Sequence, residues 1–257
     1  MLICCPAGMG QPRPIDSEIA RAKELLAQER FQEIVSLAQS IPAPSAELDF
    51  YLGTALARLG RLEDARKAFQ TGARLRPSDE RFPLELAGVA FKQKLYPEAA
   101  RYLHRALELA PNDSYANDFL GTVYFLQENI DAALKYWNRV GKPQIAEIRA
   151  EPEPRLDPVL LDRAFAFSPA STLQLADLHT TQARIDALGI FPRYHFDLQA
   201  REDSKFSLLF RGLPWQSINP ELYNLRHRAI NFLSMWRWDA EKRRVFALLA
   251  APSGSKP

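Results

Sequence analysis

Side chains that could carry out catalysis or bind a metal ion are few in this sequence and widely spaced. The four histidines are His104, His179, His195 and His227, and no two of them have the His-x-x-x-His spacing of a helical metal site. Asp177 lies two residues before His179, but side chains two apart on a helix point to different faces. These residues therefore predict neither a catalytic acid–base pair nor a metal site.

Motifs for phosphate binding, nucleophilic catalysis and cysteine chemistry are absent as well. The 11 glycines are spread along the chain, with no glycine-rich phosphate loop and no Gly-x-Ser-x-Gly motif. Cys4 and Cys5 are adjacent, so they are poorly placed for a disulfide and lack a second pair of zinc ligands. We expect a protein that is not an enzyme and that has no cofactor and no small-molecule substrate.

The amino-acid composition and the net charge limit the classes of binding partner that we expect. The 257 residues are 47% hydrophobic and 25% charged, as is usual for a globular protein with a real core. A net charge of +2 gives no reason to expect nucleic acid as a partner. No apolar run approaches the roughly 20 residues that would span a bilayer. The segment 1–14 is too short and lacks the basic start of a complete export signal, so it predicts a disordered tail or the remnant of a signal.

The strongest feature of the sequence is a repeat with a period of 34 residues. Equivalent positions carry the sets Leu52, Leu86 and Leu120; Gly53, Ala87 and Gly121; Ala65, Ala99 and Ala133; Phe69, Leu103 and Trp137; and Pro77 and Pro111. Small residues at fixed offsets let a facing helix approach, and bulky ones fill the neighbouring gap. This pattern predicts helix pairs that stack on one another.

These positions resemble the tetratricopeptide repeat (TPR). The resemblance covers three units, 46–79, 80–113 and 114–147, and a weaker copy over 15–45 predicts a degenerate capping repeat. The fold class that we predict is mostly α, a helix-turn-helix solenoid, followed by a small α+β domain.

The resemblance implies a concave groove lined by the first helix of each repeat. The positions that would face it are Phe50, Thr54, Ala57, Arg58, Arg81, Leu84, Gly88, Phe91, Lys92, Tyr115, Asp118, Thr122, Phe125 and Leu126. We predict that a protein or peptide, as an amphipathic helix or extended segment, binds there. The predicted contacts are Phe50, Arg58, Arg81, Leu84, Phe91, Lys92, Tyr115 and Phe125. The lysine, arginine and asparagine set that clamps acidic chaperone tails in related proteins is absent.

Beyond the repeats the hydrophobic period changes. The proline-rich, charged stretch within 148–157 predicts a linker. The short apolar run 161–167 predicts a strand, and Ser171 with Thr172 predicts the cap of a helix that ends at Gly189. Strict alternation over 193–201 and again over 206–210 predicts a hairpin.

The segment 158–213 resembles a POTRA (polypeptide-transport-associated) domain, a module found beside outer-membrane barrels. The residues that carry the resemblance are the helix end 184–191 and the strand 193–201. It implies that a strand of another chain pairs with the hairpin edge. The predicted edge is Tyr194, His195, Phe196, Asp197, Leu198 and Gln199.

The last segment, 214–257, has two interpretations. Alternation over 230–238 and a returning run over 244–249 predict a hairpin with apolar residues on both faces, as in the first strands of a membrane barrel of which this chain would hold a remnant. A helix carrying Leu222, Leu225, Ala229, Leu233 and Trp236 is the alternative.

Together these features predict a non-catalytic adaptor that binds a polypeptide. The POTRA resemblance implies a periplasmic or outer-membrane-associated location with an outer-membrane barrel protein as a further partner. The alternative is a soluble cytoplasmic TPR adaptor with an unrelated α+β module.

Overall fold

The structure is a computed structural model that describes residues 14–41, 44–151, 153, 158–191, 193–212, 216–218, 221–225, 230–238 and 243–250. The predicted N-terminal tail lies outside these residues, except for Pro14. The chain forms two compact units, residues 1–140 and 141–257.

The first unit is helical over its described residues. Its helices are α1 (Pro14–Ala27), α2 (Phe31–Ser40), α3 (Ala46–Arg58), α4 (Leu62–Leu75), α5 (Arg81–Lys92), α6 (Tyr96–Leu109), α7 (Ser114–Leu126) and α8 (Ile130–Trp137), followed by a 3-10 turn, Asn138–Val140. Each helix packs on the next along the chain. The predicted helix pairs are therefore confirmed, including the degenerate pair α1–α2.

Glycines in the helices make room for aromatic rings. A Cβ atom built on Gly53 would lie 2.6 Å from ring atoms of Phe69, and one on Gly121 would collide with the ring of Trp137. Phe69 is fully buried and Trp137 is 3% exposed. The small-against-large pairing predicted from the 34-residue period is the packing that holds α3 to α4 and α7 to α8.

The turns between paired helices also follow the period. Gly60, Lys94 and Glu128 are spaced 34 residues apart, and all three adopt positive φ angles of 79°, 60° and 59°. Glycine adopts this left-handed conformation without strain, whereas lysine and glutamate do so at some cost. The repeat geometry therefore imposes the same turn on residues that do not favour it.

The second unit begins with a mixed three-stranded sheet and two helices. The elements are β1 (Ile145–Ala150), α9 (Pro158–Ala164), α10 (Leu175–Leu188), β2 (Tyr194–Ala200) and β3 (Phe206–Gly212). The strand order is β1-β3-β2, with β1 parallel and β2 antiparallel to β3. The predicted hairpin is confirmed, as is the end of α10 at Gly189, whose φ is 63°.

Three local predictions in this unit are wrong. The run 161–167 is not a strand, because Leu161 and Ala164 bury one face of helix α9 at a helical spacing of three residues. Residues 145–150, assigned to the third repeat and the linker, form β1 because Ile145 is fully buried and the strand pairs with β3. Ser171 does not cap α10, since its hydroxyl donates to the Ser168 carbonyl at 2.6 Å and the helix starts after Gln174.

A second sheet follows, with strands β4 (Gln216–Ile218), β5 (Glu221–Leu225), β6 (Ile230–Trp238) and β7 (Arg243–Ala250). β6 pairs antiparallel with the other three. The predicted hairpin is confirmed as the pair β6 and β7, and the helical alternative is wrong because these residues pair as strands. That the hairpin is the remnant of a membrane barrel stays a prediction. Large apolar side chains of β6 and β7 are exposed, namely Met235, Trp236, Val245, Phe246, Leu248 and Leu249.

Candidate binding groove

The first helices of three consecutive repeats, α3, α5 and α7, line a common pocket of about 250 Å³. Its lining residues are Thr54, Ala57, Arg58, Glu85, Gly88, Val89, Lys92 and Tyr115, and we call it the groove pocket. A Cβ atom built on Gly88 would meet nothing within 4 Å. Gly88 therefore keeps this part of the groove open, unlike the glycines that make room for buried rings.

Charged groups surround the groove pocket. Arg58 and Lys92 are exposed, and Lys92 Nζ donates a hydrogen bond to the Ala57 carbonyl at 3.3 Å. Glu85 is partly buried and makes no hydrogen bond to any residue that the structure describes. Burial raises the pKa of Glu85, against the attraction of Arg58 and Lys92, which lowers it. The pocket thus holds a carboxylate whose hydrogen-bonding capacity is unused.

Arg81, on the same helix α5, is the centre of a neighbouring ion-pair network. Its guanidinium donates to Glu47 at 2.9 and 3.1 Å and to Asp79 at 2.7 and 3.0 Å. These hydrogen bonds hold the pKa values of both carboxyl groups below their usual range. Arg81 also lies 4.6 Å from the centroid of the Phe50 ring. Arg81 and Phe50, both predicted as contacts, are already engaged with one another and with acidic partners.

Other predicted contacts belong to aromatic packing. Phe91 lies 5.1 Å from Phe119 and 5.7 Å from Tyr96 between ring centroids. Leu84 packs on the same cluster, and Phe125 lies 5.5 Å from Trp137.

The structure therefore brings Arg58, Lys92 and Tyr115 together in the groove pocket and places Phe50, Arg81, Leu84, Phe91 and Phe125 within internal contacts. The binding roles of all eight stay predictions. Sequence reasoning missed Glu85, although its spacing from Gly88 and Lys92 places it on the same face of helix α5.

A polar cluster in the last two repeats was also not predicted. His104 Nε2 lies 2.9 Å from the Tyr124 hydroxyl, and His104 Nδ1 lies 3.4 Å from the Tyr136 hydroxyl. Burial lowers the pKa of His104, and the positive charge of Lys135 lowers it further. His104 therefore packs between two tyrosines, in surroundings that favour its neutral form.

The predicted edge in the second unit is on strand β2, whose only described sheet neighbour is β3. Phe196 and Leu198 are buried, whereas His195 and Gln199 are exposed. The alternation predicted for this strand is confirmed. Its use for pairing with another chain stays a prediction.

A larger cleft of about 690 Å³ lies beside strand β1 in the second unit. The described residues that line it are Ile148, Arg149, Ala150, Glu151, Glu153, Leu161, Asp162, Phe165, Phe167, Ser168 and Pro169. It borders the chain segment that joins β1 to α9, part of which is outside the described residues.

Within the described part of the chain, no three His, Cys, Asp or Glu side chains lie close enough together to hold a metal ion. None of the helices described there is long and apolar enough to cross a membrane.

A stack of helix pairs in which rings nest against glycines defines a helical solenoid. Within that class, the sequence model of the tetratricopeptide repeat matches residues 19–80 and 84–144. The matched residues, 19–80 and 84–144, are tetratricopeptide repeats. No curated protein matches this chain.

Several solved structures are similar to the repeat unit. The crystal structure of MamA has 17% identity and a TM-score of 0.47, covering 50% of this chain and 77% of that chain. YrrB, a TPR protein with an unusual peptide-binding site, has 18% identity and a TM-score of 0.45, covering 49% and 66%. The Yersinia enterocolitica type III secretion chaperone SycD, in complex with a peptide of the translocator YopD, has 15% identity and a TM-score of 0.43, covering 47% and 99%.

Proposed function

We propose that this protein is a non-catalytic adaptor whose repeat unit binds a segment of another polypeptide across the groove pocket. The observation that carries the proposal is that α3, α5 and α7 converge on one open pocket beside Gly88. Concave surfaces of this kind are what helical solenoids use for binding. The exposed cations Arg58 and Lys92 and the exposed ring of Tyr115 give the surface groups that a peptide can contact.

Filling the pocket from the protein side should abolish this binding. Gly88→Gln adds a neutral side chain where a Cβ atom has free space, and glutamine is a better helix former than glycine. We expect a 12-residue peptide, selected on the full chain from a random displayed library, to bind the Gly88→Gln variant at least about tenfold more weakly, which corresponds to about 1.4 kcal/mol. Isothermal titration calorimetry measures the dissociation constants.

The matched control is Lys67→Gln, which places the same side chain at an exposed position on α4, outside the pocket. Its affinity should stay within about twofold of the unmodified chain. Equal affinity of the Gly88→Gln variant for every selected peptide would show that the bound segment does not cross the groove pocket.

We further propose that the second unit acts in the cell envelope, beside an outer-membrane barrel protein. Two observations support this. Helix α10 ends just before strand β2 of the hairpin, and the POTRA resemblance rests on this helix end and this strand. In addition, β6 and β7 expose large apolar side chains such as Trp236 and Phe246. Fractionation of the source cells tests the location, and recovery of the protein in the cytoplasm alone would favour the cytoplasmic adaptor instead.

Strand pairing at β2 can be tested by removing one outward N–H group. The Arg201 N–H donates to the Lys205 carbonyl, and alternation along an antiparallel ladder then directs the N–H groups of His195 and Gln199 toward β3. Proline at either position would therefore break the hairpin itself. Ala200 is exposed and directs its N–H away from β3, so Ala200→Pro removes only an outward donor.

We expect Ala200→Pro to reduce binding of an unfolded outer-membrane barrel protein at least several-fold, while Ala200→Val, which keeps the N–H, binds as the unmodified chain does. Pull-down with the folded variants measures the difference. Undiminished capture by a folded Ala200→Pro variant would remove strand pairing at β2 from the proposal.

A further inference from the structure

The shape of the groove pocket limits what can enter it. Its volume of about 250 Å³ suits one large side chain rather than a helix or several residues. The Tyr115 side chain at one side is 64% exposed, and Val89 at another is 2% exposed. Gly88 contributes no side chain, so an entering group can lie directly against helix α5.

The pocket contains charges of both signs, so it disfavours three classes of side chain. An acidic group would share the small space with Glu85, and a basic group would meet Arg58 and Lys92. A purely apolar group would remove water from Glu85 without replacing the lost hydrogen bonds, because the carboxylate has no hydrogen-bond partner among the described residues. The remaining class is a neutral side chain with a hydrogen-bond donor.

We propose that the groove pocket takes the side chain of a tyrosine or tryptophan from the bound segment. The phenol hydroxyl or indole N–H donates to the Glu85 carboxylate, and the ring lies against Gly88 with Tyr115 at its edge. Arg58 and Lys92 contact the electron-rich ring face. The groove already holds one such pair, since Arg81 lies 4.6 Å from the centroid of the Phe50 ring. This inference rests on the proposed binding function and specifies the residue that the groove selects.

Blocked amino acids test the pocket without any knowledge of the partner. The full chain, labelled with 15N, is titrated with N-acetyl-tyrosinamide, N-acetyl-tryptophanamide, N-acetyl-phenylalaninamide and N-acetyl-aspartamide while the Gly88 amide signal is followed by NMR. We expect the tyrosine and tryptophan derivatives to bind about tenfold more tightly than the phenylalanine derivative, because only they can donate to a charged acceptor. The aspartate derivative should not shift the signal.

A Glu85→Gln variant tests whether the preference for the tyrosine and tryptophan derivatives depends on the Glu85 carboxylate. Glutamine has nearly the same shape and keeps an acceptor oxygen but carries no charge, so the tyrosine-to-phenylalanine ratio should fall to about threefold or less. Equal binding of tyrosine and phenylalanine derivatives by the unmodified chain, tighter binding of the aspartate derivative, or no shift with any of the four would overturn the inference.

The outcomes separate this inference from the proposed function. If selected peptides bind and Gly88→Gln abolishes their binding, but the blocked amino acids show no aromatic donor preference, the groove function stands and the tyrosine or tryptophan inference fails. If the blocked amino acids show the preference but no selected peptide depends on Gly88, the pocket inference stands and the binding of a polypeptide across the groove fails.

Discussion

Gly53→Ala should lower the free energy of unfolding of the repeat unit by about 1–3 kcal/mol or more, whereas Gly88→Ala should raise it by up to about 1 kcal/mol. Both changes add one methyl group to a first helix of a repeat. At Gly53 the new Cβ atom would lie 2.6 Å from the ring of Phe69, which is fully buried and has no space to move into. At Gly88 the same atom meets nothing within 4 Å, so only the helix preference of alanine remains.

Chemical denaturation followed by helical circular dichroism measures both values, and each variant serves as the other's control. Loss of stability in the Gly88→Ala variant would mean that the groove pocket is filled in solution. An unchanged Gly53→Ala variant would contradict the ring-on-glycine packing on which the repeat assignment rests.

The repeat unit was predictable because its packing recurs at one fixed interval. Gly53 with Phe69 and Gly121 with Trp137 are separated by the same 16 residues, and both rings pack on their glycine, in agreement with the predicted recurrence of small and bulky residues. The ion pair of Glu47 and Arg81 was missed, although these residues are 34 apart and so occupy equivalent positions in successive repeats. Opposite charges at equivalent positions were a signal in the sequence that a search for apolar periodicity does not detect.

The second unit was less predictable because its first strand depends on a distant partner. β1 pairs with β3, and Ile145 lies opposite Phe206, some 60 residues away. Because β1 contains the charged residues Glu147 and Arg149 among its apolar ones, its local sequence predicts a linker rather than a strand. The apolar run 161–167 could equally form a strand or a buried helical turn, and only the tertiary packing of Leu161 decided between them.

The position of the groove could be predicted from the sequence, but the contacts that its side chains already make could not. The resemblance placed the right helix faces, since Arg58, Lys92 and Tyr115 do line one pocket. Which of the other predicted contacts remain available depends on side-chain partners such as Asp79 for Arg81. Periodicity assigns a residue to a face, but it does not show what the side chain contacts on that face.

Phe210→Ala should unfold the three-stranded sheet of the second unit while leaving the repeat helices folded. Phe210 is fully buried on the central strand, and its ring centroid lies 5.1 Å from that of Phe191, 5.5 Å from Phe196, 5.7 Å from Tyr194 and 6.2 Å from Phe165. Removing a buried phenylalanine ring costs about 3–5 kcal/mol, which is a large part of the stability of a small domain.

Hydrogen exchange resolved by mass spectrometry measures the effect in each unit separately. Peptides from β2 and β3 should lose protection in the Phe210→Ala variant, and peptides from α3 to α8 should keep it, because the two units are compact in themselves. The control is Tyr194→Phe, which keeps the ring but removes hydrogen bonds from its hydroxyl to Asp186 Oδ1 at 2.8 Å and to the Gln182 carbonyl at 3.0 Å. Because the hydroxyl has a single proton and donates it to one of these two acceptors at a time, that change should cost only about 1 kcal/mol and leave the sheet protected. Loss of protection in both units of the Phe210→Ala variant would mean that they unfold as one cooperative body, and retained protection in β2 and β3 would mean that the ring cluster is not the core of the sheet.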